Sequence, residues 1–403
     1  TTQVWQTKAA WGGSSGVAIT GLSANTAYAV GVIARNNPGT ATSSSSTTIR
    51  YTHVNTPTQT IGSITSTQLA ITIGENSNPA GTAYALQIGS NYVQANGTVS
   101  AGAFYQTAAT WGSGTATGLT PSTTYIIQVI AKNGDNDTTS GAATSSTTYT
   151  LVATPTQTLS NIATTSMSVS IGTATNASVA QYSVKFNTLY VQANGTLGAS
   201  QIWQTNAAWT SLFSVTGLTP STSYTVQIIA RNENNDSTNG TSSGTTNSTL
   251  VDSNISQTLN NITSTGMSVT IGTATNPSTT EYSIQLGSSY VQANGTLAGG
   301  QIWQTAAVWG APVNVTGLTP STSYTVIVIG RNAENTTSSA PGSTAATLVA
   351  TPTQTLSNIT STGISVTIGT ATNSSAAQYS IQFGDSYVQA NGTLAGGQIW
   401  QTA

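Results

Sequence analysis

The sequence contains no cysteine, only seven basic and nine acidic residues in 403, and one histidine, His53. Without cysteine there are no disulfides and no thiolate metal sites, and the redox compartment stays open. Charged residues make up 4% of the chain, against about 25% in ordinary globular proteins. Something other than charge must therefore hydrate this surface. A net charge of −2 leaves no electrostatic footprint for nucleic acid or for anionic lipid. No apolar run reaches the ~18 residues of a membrane span, and the longest, such as residues 27–34, are strand-sized. No membrane insertion is expected in this segment. No signal peptide opens the sequence, which reads as a mature product or as a window on a longer chain.

Helical periodicity is missing as well, and repetition takes its place. Residues 217–232 read Gly-Leu-Thr-Pro-Ser-Thr-Ser-Tyr-Thr-Val-Gln-Ile-Ile-Ala-Arg-Asn, and close copies stand at 21–36, 118–133 and 317–332. After the Leu-Thr-Pro turn, Tyr224, Val226, Ile228 and Ala230 fall on every second position, the period of a strand with one buried face. A tyrosine opening such a strand predicts a tyrosine corner, its hydroxyl tying the strand back to the preceding crossover. A second word, Gln-Ile-Trp-Gln-Thr, recurs with its aromatic at Trp5, Tyr105, Trp203, Trp303 and Trp400, at steps of 100, 98, 100 and 97 residues. That is a tandem array with a domain-sized period. A third, Thr-Pro-Thr-Gln-Thr, begins at Thr56, Thr154 and Thr351, with a degenerate copy from Asn254. Its prolines cannot donate to a central ladder, which suits an edge strand or a linker.

Within the third unit, alternating segments at 166–171 and 181–186 are followed by 190–192, an Asn194-Gly195 turn, 201–205, 214–216 and the tyrosine-corner strand. Asn-Gly is a strong hairpin signal because both residues tolerate positive φ. About seven short strands per unit predict an all-β fold, a tandem array of seven-stranded antiparallel immunoglobulin-like β-sandwiches. The units run 53–150, 151–249 and 250–348. Residues 1–52 read as the C-terminal half of such a domain and 349–403 as the N-terminal half.

These words resemble the fibronectin type III family. The Leu-x-Pro-x-x-x-Tyr signature is similar to its E–F region, and Tyr-Val-Gln-Ala-Asn-Gly-Thr-Leu with Gln-Ile-Trp-Gln-Thr is similar to a variant of microbial surface and filament proteins. The resemblance implies strands A, B and E facing C, C′, F and G, and it implies no reaction. Two departures stand out: the second strand lacks the family's tryptophan, and Ala24 replaces the corner proline of the first unit, which is expected to loosen that turn.

Nothing catalytic clusters. His53 has no cysteine to work with, and the carboxylates do not recur at equivalent places, so no enzyme, cofactor or metal is expected. Asp135-Asn-Asp137 has two readings, a calcium ligand pair or a solvated loop, and the other units lack the pair. Each unit repeats two aromatics six residues apart: Trp5 with Trp11, Tyr105 with Trp111, Trp203 with Trp209, and Trp303 with Trp309. On an extended strand each pair shares a face. With Trp400 they form either a substitute for the missing core tryptophan or an exposed contact surface for sugars or neighbouring fibres. Ile33, Ile130, Ile229 and Ile329 take the parity opposite to the core residues, giving an outer face suited to lateral contact. Of fifteen asparagine sequons, the glycosylation candidates are Asn96, Asn136, Asn194, Asn235, Asn294, Asn335 and Asn391; glycans there would supply the hydration that charge does not.

Half sandwiches expose core faces and strand edges. Either the sequence is a window on a longer chain, or the C-terminal half of one copy is completed by the N-terminal half of the next, a head-to-tail contact that grows without closing. The expected function is a non-catalytic extracellular or cell-surface filament or fibre whose partner is itself, head to tail or laterally. The alternative is an adhesin stalk or carbohydrate-binding accessory region of a larger secreted protein, with cell-surface glycans as partners.

Overall fold

The computed structural model describes residues 2–210 and 212–403. The third unit sets out the pattern. Its elements are β1 (Thr156–Ser160), β2 (Ser166–Gly172), β3 (Gln181–Phe186), β4 (Leu189–Val191), β5 (Leu197–Gly198), β6 (Gln204–Thr205), α1 (Asn206–Trp209), β7 (Phe213–Thr216), β8 (Ser223–Arg231) and β9 (Thr245–Ser248). One sheet has the order β1-β2-β7; the other runs β5-β4-β3-β8-β9, with β6 also paired to β3. All pairings are antiparallel, and the central ladder sets Gln181 opposite Arg231 and Phe186 opposite Val226. The second and fourth units repeat this order, so the array consists of immunoglobulin-like sandwiches.

Alternation decides what is inside. Tyr182, Val184 and Phe186 of β3 and Val226, Ile228 and Ala230 of β8 point into one core with Met167, Val169 and Val215. The tyrosine corner forms as expected: Thr219 N–H donates to the Tyr224 hydroxyl at 2.9 Å, and Thr120 and Thr319 do the same for Tyr125 and Tyr324. In the first unit Ser23 N–H reaches the Tyr28 hydroxyl at 3.0 Å, so Ala24 does not cost that turn its bond.

One local expectation is corrected. Residues 201–205 are not one strand; only Gln204 and Thr205 pair, and the chain then turns into a single helical turn. Thr205 starts that turn, its hydroxyl oxygen accepting from Ala208 N–H, as a capping threonine does. The paired aromatics therefore do not share a strand face. The turn carries Trp209 into the core at 4% exposure, where its indole N–H donates to the Tyr182 carbonyl at 2.8 Å. Trp111 and Trp309 are equally buried, each bonded to the carbonyl of Tyr84 or Tyr282. These tryptophans are part of the three cores.

The glutamine of the Thr-Pro-Thr-Gln-Thr word joins the two sheets. Gln157 Nε2 donates to the Val226 carbonyl of β8 and to the Thr245 hydroxyl of β9. Gln59 and Gln257 make the matching bonds in their own units. An amide on the edge strand β1 thus reaches backbone that its own ladder cannot.

Candidate functional site

Two features recur once per unit and lie outside the cores: the junction between domains, and an aromatic–cation stack on the outer face of the larger sheet.

The junction is built from backbone and asparagine. At the second-to-third boundary, Leu151 N–H donates to the Thr65 carbonyl and Ser122 N–H donates to the Leu151 carbonyl, tying Leu151 to the second domain at both ends. The next residue, Val152, is 1% exposed inside the third domain's core. Ala153 is held from both sides by Asn176, whose Oδ1 accepts its N–H and whose Nδ2 donates to its carbonyl. Across the boundary, Asn232 at the end of β8 donates to the Thr150 carbonyl at 3.1 Å. Its Oδ1 meanwhile accepts from Asn234 and Asp236 N–H, which fixes the loop that carries it. Leu151 and Ala153 are thus held by hydrogen bonds and Val152 between them by burial.

The same parts recur at the other complete boundary. Leu250 bonds Ala163 and Ser221, Val251 is buried, Asp252 is clamped by Asn276, and Asn332 donates to Thr249 at 3.1 Å. At the first boundary Asn133 donates to Thr52, and further contacts are added. Asp135 accepts from Tyr51 N–H at 2.9 Å, Gly134 N–H donates to Asn25, and His53 Nδ1 lies 3.0 Å from Asp137. The Tyr51 ring packs so closely on Gly134 that a Cβ there would clash with it. Asp135 and Asp137 are therefore junction and loop residues. Hydrogen bonds from the Thr139 hydroxyl and N–H, with a smaller contribution from His53, hold the Asp137 carboxyl below its usual range. Asp252 is likewise depressed, first by the Thr275 hydroxyl and then by Asn254 N–H.

The outer-face stack gathers most of the scarce basic residues. Arg35 lies 4.7 Å from the Trp5 ring centre, Lys132 4.4 Å from Tyr105, Arg231 4.4 Å from Trp203 and Arg331 4.6 Å from Trp303. Arg231 also donates through Nε and Nη2 to the Gln181 side chain, and Arg331 pairs with Glu281 at 2.6 Å. Desolvation lowers Arg231 from its usual value, and a guanidinium remains charged all the same. So the aromatic candidates divide. Trp111, Trp209 and Trp309 belong to the core and offer no contact surface. Trp5, Tyr105, Trp203 and Trp303 are half-buried in cation stacks on the outside, beside Ile130, Ile229 and Ile329. Trp11 and Trp400 are exposed at 42% and 57%.

The sequons also divide. Asn96, Asn194, Asn294 and Asn391 stand exposed at hairpin tips, and Asn136, Asn235 and Asn335 stand exposed in the loop after the tyrosine-corner strand. The junction asparagines were missed by sequence reasoning. Their only signal is recurrence: Asn133, Asn232 and Asn332 each follow the last basic residue of that strand. Among the described residues there is no group of three or more His, Cys, Asp or Glu able to hold a metal ion. Nor is any described helix long and apolar enough to cross a membrane.

The fold and the repeated words define a tandem array of antiparallel β-sandwich domains. Residues 153–246 match the fibronectin type III domain family, and the flanking units repeat the strand order of that matched unit. No curated protein matches the chain. Among solved structures it is similar to a two-domain fibronectin type III segment of chicken tenascin, at 14% identity over 47% of this chain and 95% of that one, with a TM-score of 0.30. It is also similar to the FN1–FN3 domains of chicken CNTN1, at 14% identity over 73% and 99%, with a TM-score of 0.20. Domains of this family are typically extracellular and non-catalytic.

Proposed function

We propose that the chain is a stretch of a non-catalytic extracellular rod that builds a linear filament or surface fibre of the cells that make it. The observation that carries this reading is the junction. With Leu151 bonded to one domain and Val152 buried in the next, there is no free linker about which the domains can swing. A chain whose repeats join in this way transmits force and holds distance. The scarcity of ionisable groups suits such a rod, because few charges change with pH.

The two partial units bear on growth. Residues 3–8 and 31–39, with Trp11, Gly16 and Val17, line an open cavity of about 1140 Å³. Strands from adjoining sequence or from a neighbouring copy would seat there in the same register; a copy doing so lengthens the array head to tail. Negative-stain images of the purified protein test the reading. Elongated particles or fibres are expected, and compact globular particles overturn it.

A second reading is favoured by one observation, the half-exposed rings of Trp203 and Trp303 beside their guanidinium groups. Such rings suit sugar stacking in an adhesin stalk or a carbohydrate-binding accessory region. Glycan-array binding lost on Trp303→Ala supports it, and absence of binding removes it.

A further inference from the structure

We infer that the hairpin-tip asparagines Asn96, Asn194, Asn294 and Asn391 are N-glycan acceptor sites, each in the edge hairpin of its own unit's sheet. This rests on the extracellular reading above, since such glycans are added to exported chains.

The sequon alone does not select them; the geometry does. At each tip the Asn Oδ1 is fully used, accepting both the N–H and the hydroxyl of its own sequon threonine. Thr196 makes these bonds to Asn194 at 3.1 and 2.8 Å, and Thr98, Thr296 and Thr393 repeat them. The Nδ2 group has no acceptor among the described residues, and the side chain is exposed. The middle residue is glycine at positive φ: Gly195 has φ 82°, and a Cβ there would meet the Ser214 carbonyl at 2.6 Å. The turn is therefore held in one shape, and nothing crowds the amide from the next residue. The sequon at Asn176 looks different. Asn176 is half-buried and gives both Nδ2 hydrogens away, to the Ala153 and Thr173 carbonyls. That amide cannot be glycosylated without releasing Ala153 from the junction.

The chemistry needs one co-reactant, an oligosaccharide joined to a lipid through phosphate. The Asn Nδ2 forms a bond to the anomeric carbon. The anomeric carbon–oxygen bond breaks, the phosphate leaves with its electron pair, and the amide loses one proton. No oxidant or reductant is involved. The edge position has a physical consequence. Each tip opens the outermost strand of its sheet, Leu197–Gly198 in the third unit and Leu297–Ala298 in the fourth. A glycan beside that strand blocks edge-to-edge pairing of neighbouring rods and hydrates a chain in which only 4% of residues are charged.

The test is glycopeptide mass spectrometry of the protein isolated from the cells that make it, with cell fractionation alongside. Whole-sugar mass additions are expected at Asn194 and Asn294, with Asn176 bare. Thr196→Ala is expected to abolish the addition at Asn194, and Thr196→Ser, which keeps the hydroxyl, to retain it. Bare Asn194 and Asn294 on protein found outside the cell overturn the acceptor sites and leave the rod reading standing. Protein confined within the cell overturns the extracellular reading itself. Sugar on Asn176 overturns the geometric selection.

Discussion

The third domain and residues 2–52 carry nearly the same words and meet different fates. In the third domain, β8 runs for nine residues and Val226 and Ile228 are fully buried. In the first unit the equivalent strand is the four-residue Ala27–Val30, with Val30 and Val32 exposed at 52% and 70%. Trp209 is 4% exposed, and Trp11, its counterpart, is 42% exposed. The other partial unit shows the converse. There the six-residue β3 is broken into Gln378–Tyr379 and Gln382–Phe383, because no partner strand equivalent to β8 runs beside it. The lesson is that alternation specifies which face is apolar, while burial and strand length come from the facing layer. The tyrosine corner, by contrast, is complete in both regions, since its bond spans five residues and needs no second sheet.

That comparison yields substitutions whose effects should differ between the two regions. The largest difference is expected at tryptophan. Trp209→Ala leaves a cavity and an unpaired Tyr182 carbonyl and should destabilise the third domain by about 3–5 kcal/mol, whereas Trp11→Ala should stay within about 0.5 kcal/mol. Denaturant unfolding followed by hydrogen exchange at β3 and β8 separates the two. Next comes the sheet-joining glutamine. Gln157→Ala strands the acceptors of β8 and β9 and should cost about 1–3 kcal/mol, while Gln354→Ala, at an exposed position with no cross-sheet bond, should have no measurable effect. Equal losses at both positions would break the comparison.

A smaller effect concerns acid. Asp252 takes the place of Ala153 and is depressed by its hydrogen bonds from Thr275 and Asn254. A carboxyl held low in the folded state contributes stability above its unfolded value, and that contribution disappears as pH falls through the folded value. Urea unfolding at neutral and at acidic pH should therefore show an Asp252 contribution in the fourth domain that Asp252→Ala removes.

Much of the architecture was legible because its signals are local. Leu218, Pro220 and Tyr224 announce the corner, and the parity of β8 names its inward residues. The Trp209 turn was not legible. Four helical residues are too few to show a 3.6-residue period, and the threonine that caps them reads equally well as the end of a strand. The junction was hidden for another reason. Asn232 acts on a carbonyl 82 residues earlier, and an amide side chain in a polar loop looks the same whether it meets water or a neighbouring domain. Only the spacing of the Trp203 stack was visible beforehand; its arginine partner sits on a strand reached through the fold.

The central claim is that consecutive domains are fixed to one another. Residual dipolar couplings from the second, third and fourth domains in one aligned sample test it directly. The account predicts that a single alignment tensor fits all three, and that Asn232→Ala separates the second domain from the third. Wild-type domains that each require a tensor of different magnitude would contradict it.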